Sequence, residues 1–268
     1  MQAAKLPFLY GWYWIQEGIR LFKLQPAALF FWSLATSILI NLSMLFPVLG
    51  QMLLIVLVPS MTFIVQNACR RIDAAQIMRL GMWLEPVKPA AVRKRLLLLG
   101  LIYLLACLAA GFLATAPFVP ELSTVMNGDA QSINPEEVMA VLRKPMLAFF
   151  VIYIGLSALF WHAPALVGWH AVPIKQALFF SMIACWRNKA AFLLYGLCWA
   201  AAFYGIQTLG QLMMGAGLGA SVITVVLTPL NLAIAAVLYA SFYPAYRSVF
   251  GDSAPRSGQG FSGNGTQL

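Results

Sequence analysis

The chain has 268 residues, 62% of them hydrophobic and only 9% charged, where a soluble domain carries about a quarter charged residues. With a mean hydropathy of +0.82, this excludes the soluble globular class and leaves an integral membrane protein. The formal charge of +9 does not mark a nucleic-acid binder, because the basic residues stand at the ends of apolar stretches, where the positive-inside rule already places them; no nucleic-acid partner is expected.

Residues 1–26 form an amphipathic N-terminal segment. Trp12, Ile15, Ile19 and Phe22 recur at intervals of three and four, with Gln16, Arg20 and Lys23 marking the other face. This pattern predicts a helix lying in the membrane interface, with Trp12, Tyr13 and Trp14 in the aromatic belt and a turn into the first span near Pro26.

A six-span membrane domain over residues 27–250 follows. A helix needs about 20 apolar residues to cross a hydrocarbon core about 30 Å thick. Uncharged stretches of that order run over residues 27–46, 48–66, 96–116, 146–167, 190–211 and 222–243. A charge at a helix centre costs roughly 2.5–3.5 kcal/mol on insertion scales, so uncharged spans argue against a proton relay or an ion pathway. The fold class is therefore all-α, a polytopic bundle of six transmembrane helices with interfacial helices.

Between the second and third spans, Ile77, Leu80 and Leu84 keep helical spacing beside Arg79, which predicts an interfacial helix over residues 76–84, ended near Pro86. Arg93, Lys94 and Arg95 directly precede the third span and are the best-placed contacts for anionic lipid headgroups. In the loop over residues 117–145, Asn134-Pro135-Glu136-Glu137 reads as an N-cap, a proline at the first helical position and acids in the first turn, so a short helix through Arg143 is expected. Residues 174–188 form another amphipathic segment before the fifth span. Residues 251–268 are rich in Gly, Ser, Pro, Asn and Gln, and a disordered tail is expected there.

Fifteen of the 17 Lys and Arg residues fall on one side of this pattern: three in the N-terminal segment, seven between the second and third spans, three in the fourth connection and two in the tail. Only Arg143 and Lys144 lie opposite. Both termini are expected on the cytoplasmic side of a bacterial inner membrane. The first apolar run lies too far in and is too long for a secretory signal, so it is read as a retained span.

The chain also divides into three units, each an interfacial segment, a span outward and a span inward. Val58-Pro59-Ser60, Ala163-Pro164-Ala165 and Tyr243-Pro244-Ala245 recur late in the three returning helices. Repeats of one orientation are related by an axis along the membrane normal, which would give a pseudo-threefold bundle.

Candidate chemistry is sparse. Cys69, Cys107, Cys185 and Cys198 match neither zinc nor redox spacing and read as small packing residues. His162 and His170 lie eight apart beside Trp161 and Trp169 and read as interfacial hydrogen-bonding groups rather than metal ligands. Asn41, Gln207, Gln211 and Asn231 are amides within spans, suited to hydrogen bonding across helices and the best candidates for a solute site. Gly210, Gly215, Gly217 and Gly219 mark a place where the backbone bends. There is no serine with a base, no pair of carboxylates in reach of a span and no metal set, so neither catalysis nor a cofactor is expected.

Through Gly11-Trp12, Trp14-Ile15, Glu17-Gly18-Ile19-Arg20-Leu21-Phe22, Ala163-Pro164-Ala165-Leu166-Val167 and Ala184-Cys185-Trp186-Arg187-Asn188, the chain resembles a family of uncharacterised proteobacterial transmembrane proteins of the kind found in Burkholderia and its relatives. It is more distantly similar to the multi-span membrane domain attached to some glycerophosphodiester phosphodiesterases, but has no phosphodiesterase catalytic segment. The resemblance implies a six-span protein and supplies no functional residues. The expected function is a non-enzymatic inner-membrane protein that organises lipids or partner membrane proteins through its amphipathic segments and basic face. The alternative is a carrier for a neutral or lipid-like solute that uses the span amides.

Overall fold

A computed structural model describes residues 3–126 and 135–251. It contains α1 (Tyr10–Leu24), α2 (Pro26–Met44), α3 (Leu49–Asp73), α4 (Ala90–Thr115), α5 (Val119–Met126), α6 (Pro135–Phe160), α7 (Ala163–His170), α8 (Ile174–Arg187), α9 (Lys189–Gly215) and α10 (Ala220–Phe250). No strand occurs among the described residues. Six helices are long and apolar enough to cross a membrane, namely α2, α3, α4 with its continuation into α5, α6 with α7, α9 and α10, so the protein is an all-α polytopic bundle.

The first turn into the bundle follows from local chemistry. Gln25 leaves helical geometry at φ −144° and ψ 71°, and Pro26 opens α2, where its missing N–H costs nothing and its fixed φ suits a first helical residue. The buried face of α1 differs from the one expected. Gly11, Trp14, Ile15, Gly18 and Leu21 are buried, whereas Trp12 is 47% exposed. The reason is tertiary: α1 packs on α10 and α9. Gly18 permits that approach, since a Cβ there would stand 2.9 Å from the Val237 carbonyl oxygen.

The helix expected over residues 76–84 does not form. Beyond α3 the chain turns at Ala75, with φ 58°, and makes two short 3-10 turns at Leu80–Met82 and Glu85–Val87. Gln25 competes for the backbone: its Oε1 accepts from the Met78 N–H at 2.9 Å and its Nε2 donates to the Gln76 carbonyl at 2.6 Å. Trp83 then stacks on Trp32 of α2 with ring centroids 4.9 Å apart.

Within the fourth span the helix is interrupted where hydropathy continues, since α6 ends at Phe160. Pro164 has no N–H to offer the Phe160 carbonyl and its ring would collide with that group, so α6 stops and α7 starts anew. Ser181 of α8 services the break, accepting the His162 N–H at 3.0 Å and donating to the Ala158 carbonyl at 2.8 Å. At its other end α6 runs from Pro135 through Arg143 and Pro145 as one helix of 26 residues, rather than a short helix followed by a span; an internal proline is tolerated in a membrane helix. The expected cap residue Asn134 and the tail beyond Gly251 lie outside the described residues.

Packing of the interfacial elements is cyclic. The segment before the first span, α1, leans on the last pair, α9 and α10; the turns after α3 lean on α2 and α3; and α8 leans on α6 and α7. These elements fill the gaps between spans at one end only, and burial follows them. Every residue from Ala220 to Ala235 of α10 is at least partly exposed, while Ala236, Ala240, Ser241, Tyr243 and Ala245 are buried. The bundle is thus closed at the α1 end and loosely packed at the other.

Candidate membrane-surface site

The six spans alternate in direction, so the start of α2, the end of α3, the start of α4, the α7–α8 corner, the start of α9 and the end of α10 share one end. α1, residues 76–88 and α8 surround that end as a collar. At its centre lie four charged side chains. Glu17 of α1 accepts from Arg20 at 3.0 Å and from Arg247 of α10 at 3.2 Å. Asp73, the last residue of α3, takes the same two guanidinium groups on its two oxygens. Arg247 is 11% exposed, Glu17 16% and Asp73 19%, so these three charges are largely withdrawn from water, while Arg20 at 43% closes the cluster at its exposed edge; every charge has a hydrogen-bonded partner of opposite sign. Burial works against the Arg20 charge, but Glu17 and Asp73 outweigh it and hold that guanidinium above its ordinary range.

This cluster overturns the expectation that no paired carboxylates come within reach of a span. Its members are far apart in sequence and meet only because α1 crosses α3 and α10. One signal was available: Glu17 and Asp73 are acids embedded in otherwise basic connections. Each carboxylate is held by two arginines, an arrangement that clamps α1 onto two spans.

A second tie uses Asn188, which is 1% exposed. Its Oδ1 accepts from the Leu6 N–H at 2.7 Å, and its Nδ2 donates to the carbonyls of Ala4 and Ala184, both at 2.9 Å. The N-terminal segment ahead of α1 is thereby pinned to the α8–α9 corner. Of another motif behind the family resemblance, Ala163, Ala165, Leu166 and Val167 are fully buried.

Outside this core the collar mixes exposed cations with exposed apolar side chains on each element. On α1, Lys23 lies beside Leu24; after α3, Arg79 lies between Ile77 and Leu80; on α8, Arg187 lies beside Trp186. The Lys189 ammonium sits 4.8 Å above the Trp186 ring. Arg93 and Lys94 are exposed and Arg95 partly so, early in α4, and Arg93 donates to the Lys88 carbonyl at 3.1 Å. These three predicted headgroup contacts therefore share the collar end.

The span amides lie elsewhere. Asn41, Gln207, Gln211 and Asn231 are all exposed. Asn41 donates to Ser37 at 2.8 Å and Asn231 to Leu227 at 2.9 Å, carbonyls of their own helices, so these two do not bond across helices as expected. The break between α6 and α7 turns His162 inward, where it is fully buried among Phe192, Tyr246 and Phe250. Its ring nitrogens have no hydrogen-bond partner among the described residues, which corrects the interfacial role expected of it. His170 lies with its ring 6.4 Å from that of Tyr246. All four cysteines are free, and Cys69 and Cys185 are buried. No group of three metal-ligating side chains occurs among the described residues.

Compared with known proteins, the chain is 33% identical over 263 residues to a probable inner membrane protein of Burkholderia thailandensis, a match covering 95% of this chain and 96% of that relative. No protein-family model matches the chain and no solved structure matches it.

Proposed function

Because the chain belongs to the same family as that probable inner membrane protein, we propose that it is a non-enzymatic multi-pass protein that binds anionic lipid headgroups through its collar and organises lipids or partner membrane proteins there. The observation that carries this reading is the pairing of exposed cations with exposed apolar side chains on α1, on residues 76–88 and on α8, all at one end. Each such cation near an anionic surface contributes about 1 kcal/mol of attraction. At the opposite end, among the described residues, Lys144 is paired with Glu121 at 3.2 Å and Arg143 is the other exposed cation, against the many basic residues of the collar end. The same asymmetry supports a cytoplasmic position for both termini. The outward positions of Asn41, Gln207, Gln211 and Asn231 support this reading over the solute carrier, which would need them grouped around an enclosed site.

Native mass spectrometry of the protein in discs of mixed phosphatidylglycerol and phosphatidylcholine tests the lipid claim. Retained lipid enriched in phosphatidylglycerol, and losing that enrichment when Arg93, Lys94 and Arg95 are all changed to glutamine, is expected. Retained lipid that mirrors the bulk mixture would sink it. Orientation is tested by Ser132→Cys, whose labelling by an impermeant reagent from the periplasmic side is expected; labelling only after membrane rupture would reverse the topology.

A further inference from the structure

A narrow cleft of about 140 Å³ opens between α2, α3 and α10. Trp32, Thr36 and Ile40 line it as a row along α2, opposite Val58 and Val65 of α3 and Tyr239 of α10. Trp32 and Val65 are buried at its inner side, whereas Ile40 is 39% and Val58 37% exposed, so the mouth opens sideways from the bundle. All three walls are membrane-spanning helices, and the phase at that mouth is hydrocarbon. The Trp32–Trp83 stack adjoins the cleft on the collar side.

Shape and chemistry together select the occupant. The row from Trp32 to Ile40 covers two helical turns, about 12 Å, while the volume is close to that of a cavity of about 150 Å³ that accepts a single benzene ring. A long site of so small a volume excludes a bulky polycyclic ligand and fits a thin chain. Its walls are predominantly apolar: three hydroxyls, of Thr36, Thr62 and Tyr239, belong to the lining, and that of Thr36 is already committed to the Trp32 carbonyl at 2.9 Å, so a polar solute finds few groups to replace its water. We propose that this cleft holds one acyl chain of a bilayer phospholipid. The inference extends the lipid reading but does not depend on the collar's charges, because it concerns the chain and not the headgroup.

The test uses the full-length protein in phosphatidylcholine vesicles doped with phosphatidylcholine carrying a diazirine on its acyl chain. After irradiation, adducts are mapped by peptide mass spectrometry. Adducts concentrated on residues 32–40 and 54–65 are expected. Filling the mouth with Val58→Phe should lower them about tenfold, while Leu105→Phe, at a lipid-exposed site on α4, should leave them unchanged. Adducts spread over all exposed apolar positions in proportion to their exposure would overturn the proposal, and the wild-type map decides this even if Val58→Phe misfolds. Labelling by a diazirine fatty acid but not by the phospholipid would also overturn it. Because the vesicles are uncharged, a failure here is separable from a failure of the anionic-headgroup reading.

Discussion

Arg247, near the end of α10, is ion-paired with Asp73, the last residue of α3, across 174 positions of sequence. Both residues also engage α1, Arg247 through Glu17 and Asp73 through Arg20, so one cluster holds three elements together. Removing Arg247 with Arg247→Met leaves Glu17 and Asp73 sharing Arg20 alone. A loss of about 2 kcal/mol is expected, at the lower end for a partly buried charged network. Thermal unfolding in detergent measures the loss, and tryptic cleavage at Lys23 reports whether α1 has come away.

Gly18 sets how closely α1 approaches α10. Alanine there gains up to about 1 kcal/mol of helix propensity, but its methyl group meets the Val237 carbonyl and Ser241, and overpacking of this kind costs about 1–3 kcal/mol. Gly18→Ala is therefore expected to lower the unfolding temperature. Gly81→Ala, where nothing lies within 4 Å, should not. Equal melting of the two variants would show that α1 is not seated as described.

Asn188 answers three backbone groups from an almost fully buried position. Asn188→Ala leaves the Leu6 N–H and the Ala4 carbonyl without it, at about 1–3 kcal/mol if they stay buried. The N-terminal segment then peels away to reach water. Faster hydrogen exchange at Leu6, with exchange in α3 unchanged, is the expected result.

Cys185 supplies a pH-dependent test. Burial outweighs the opposing hydrogen bond from Ser181 and pushes its thiol from an ordinary 9.0 up to about 12. The unfolded chain therefore releases this proton before the folded chain does. Stability from this group is intact below pH 9 and falls as pH rises from there toward 12. Since the thiolate is the reactive form, alkylation of Cys185 at pH 8 should be slower than that of an unfolded control by about a thousandfold. Equal rates would place the thiol at the surface.

How much of this was legible in the sequence depended on the range of the interaction responsible. The turn at Pro26 and the start of α6 at Pro135 follow from what a proline does to its own neighbours, and both were readable. The helix expected over residues 76–84 was not, because Ile77, Leu80 and Leu84 carry helical spacing while Gln25 and Trp32, more than 40 positions away, decide the fold of that segment. The break at Phe160 lay between these cases. Pro164 marked it, but hydropathy continued through it, and the continuity was read in preference to the proline.

By itself the sequence determined the membrane class, the six spans and the distribution of basic residues, since transfer into hydrocarbon is a cost each residue meets individually and a window of about 20 residues sums it. Tertiary structure alone decided which face of α1 is buried, that Glu17 and Asp73 share two arginines, that His162 turns inward and that a cleft remains between α2, α3 and α10. Those outcomes depend on which helices meet and at what distance, and a buried polar group is satisfied or left over only once its neighbours from distant sequence are in place.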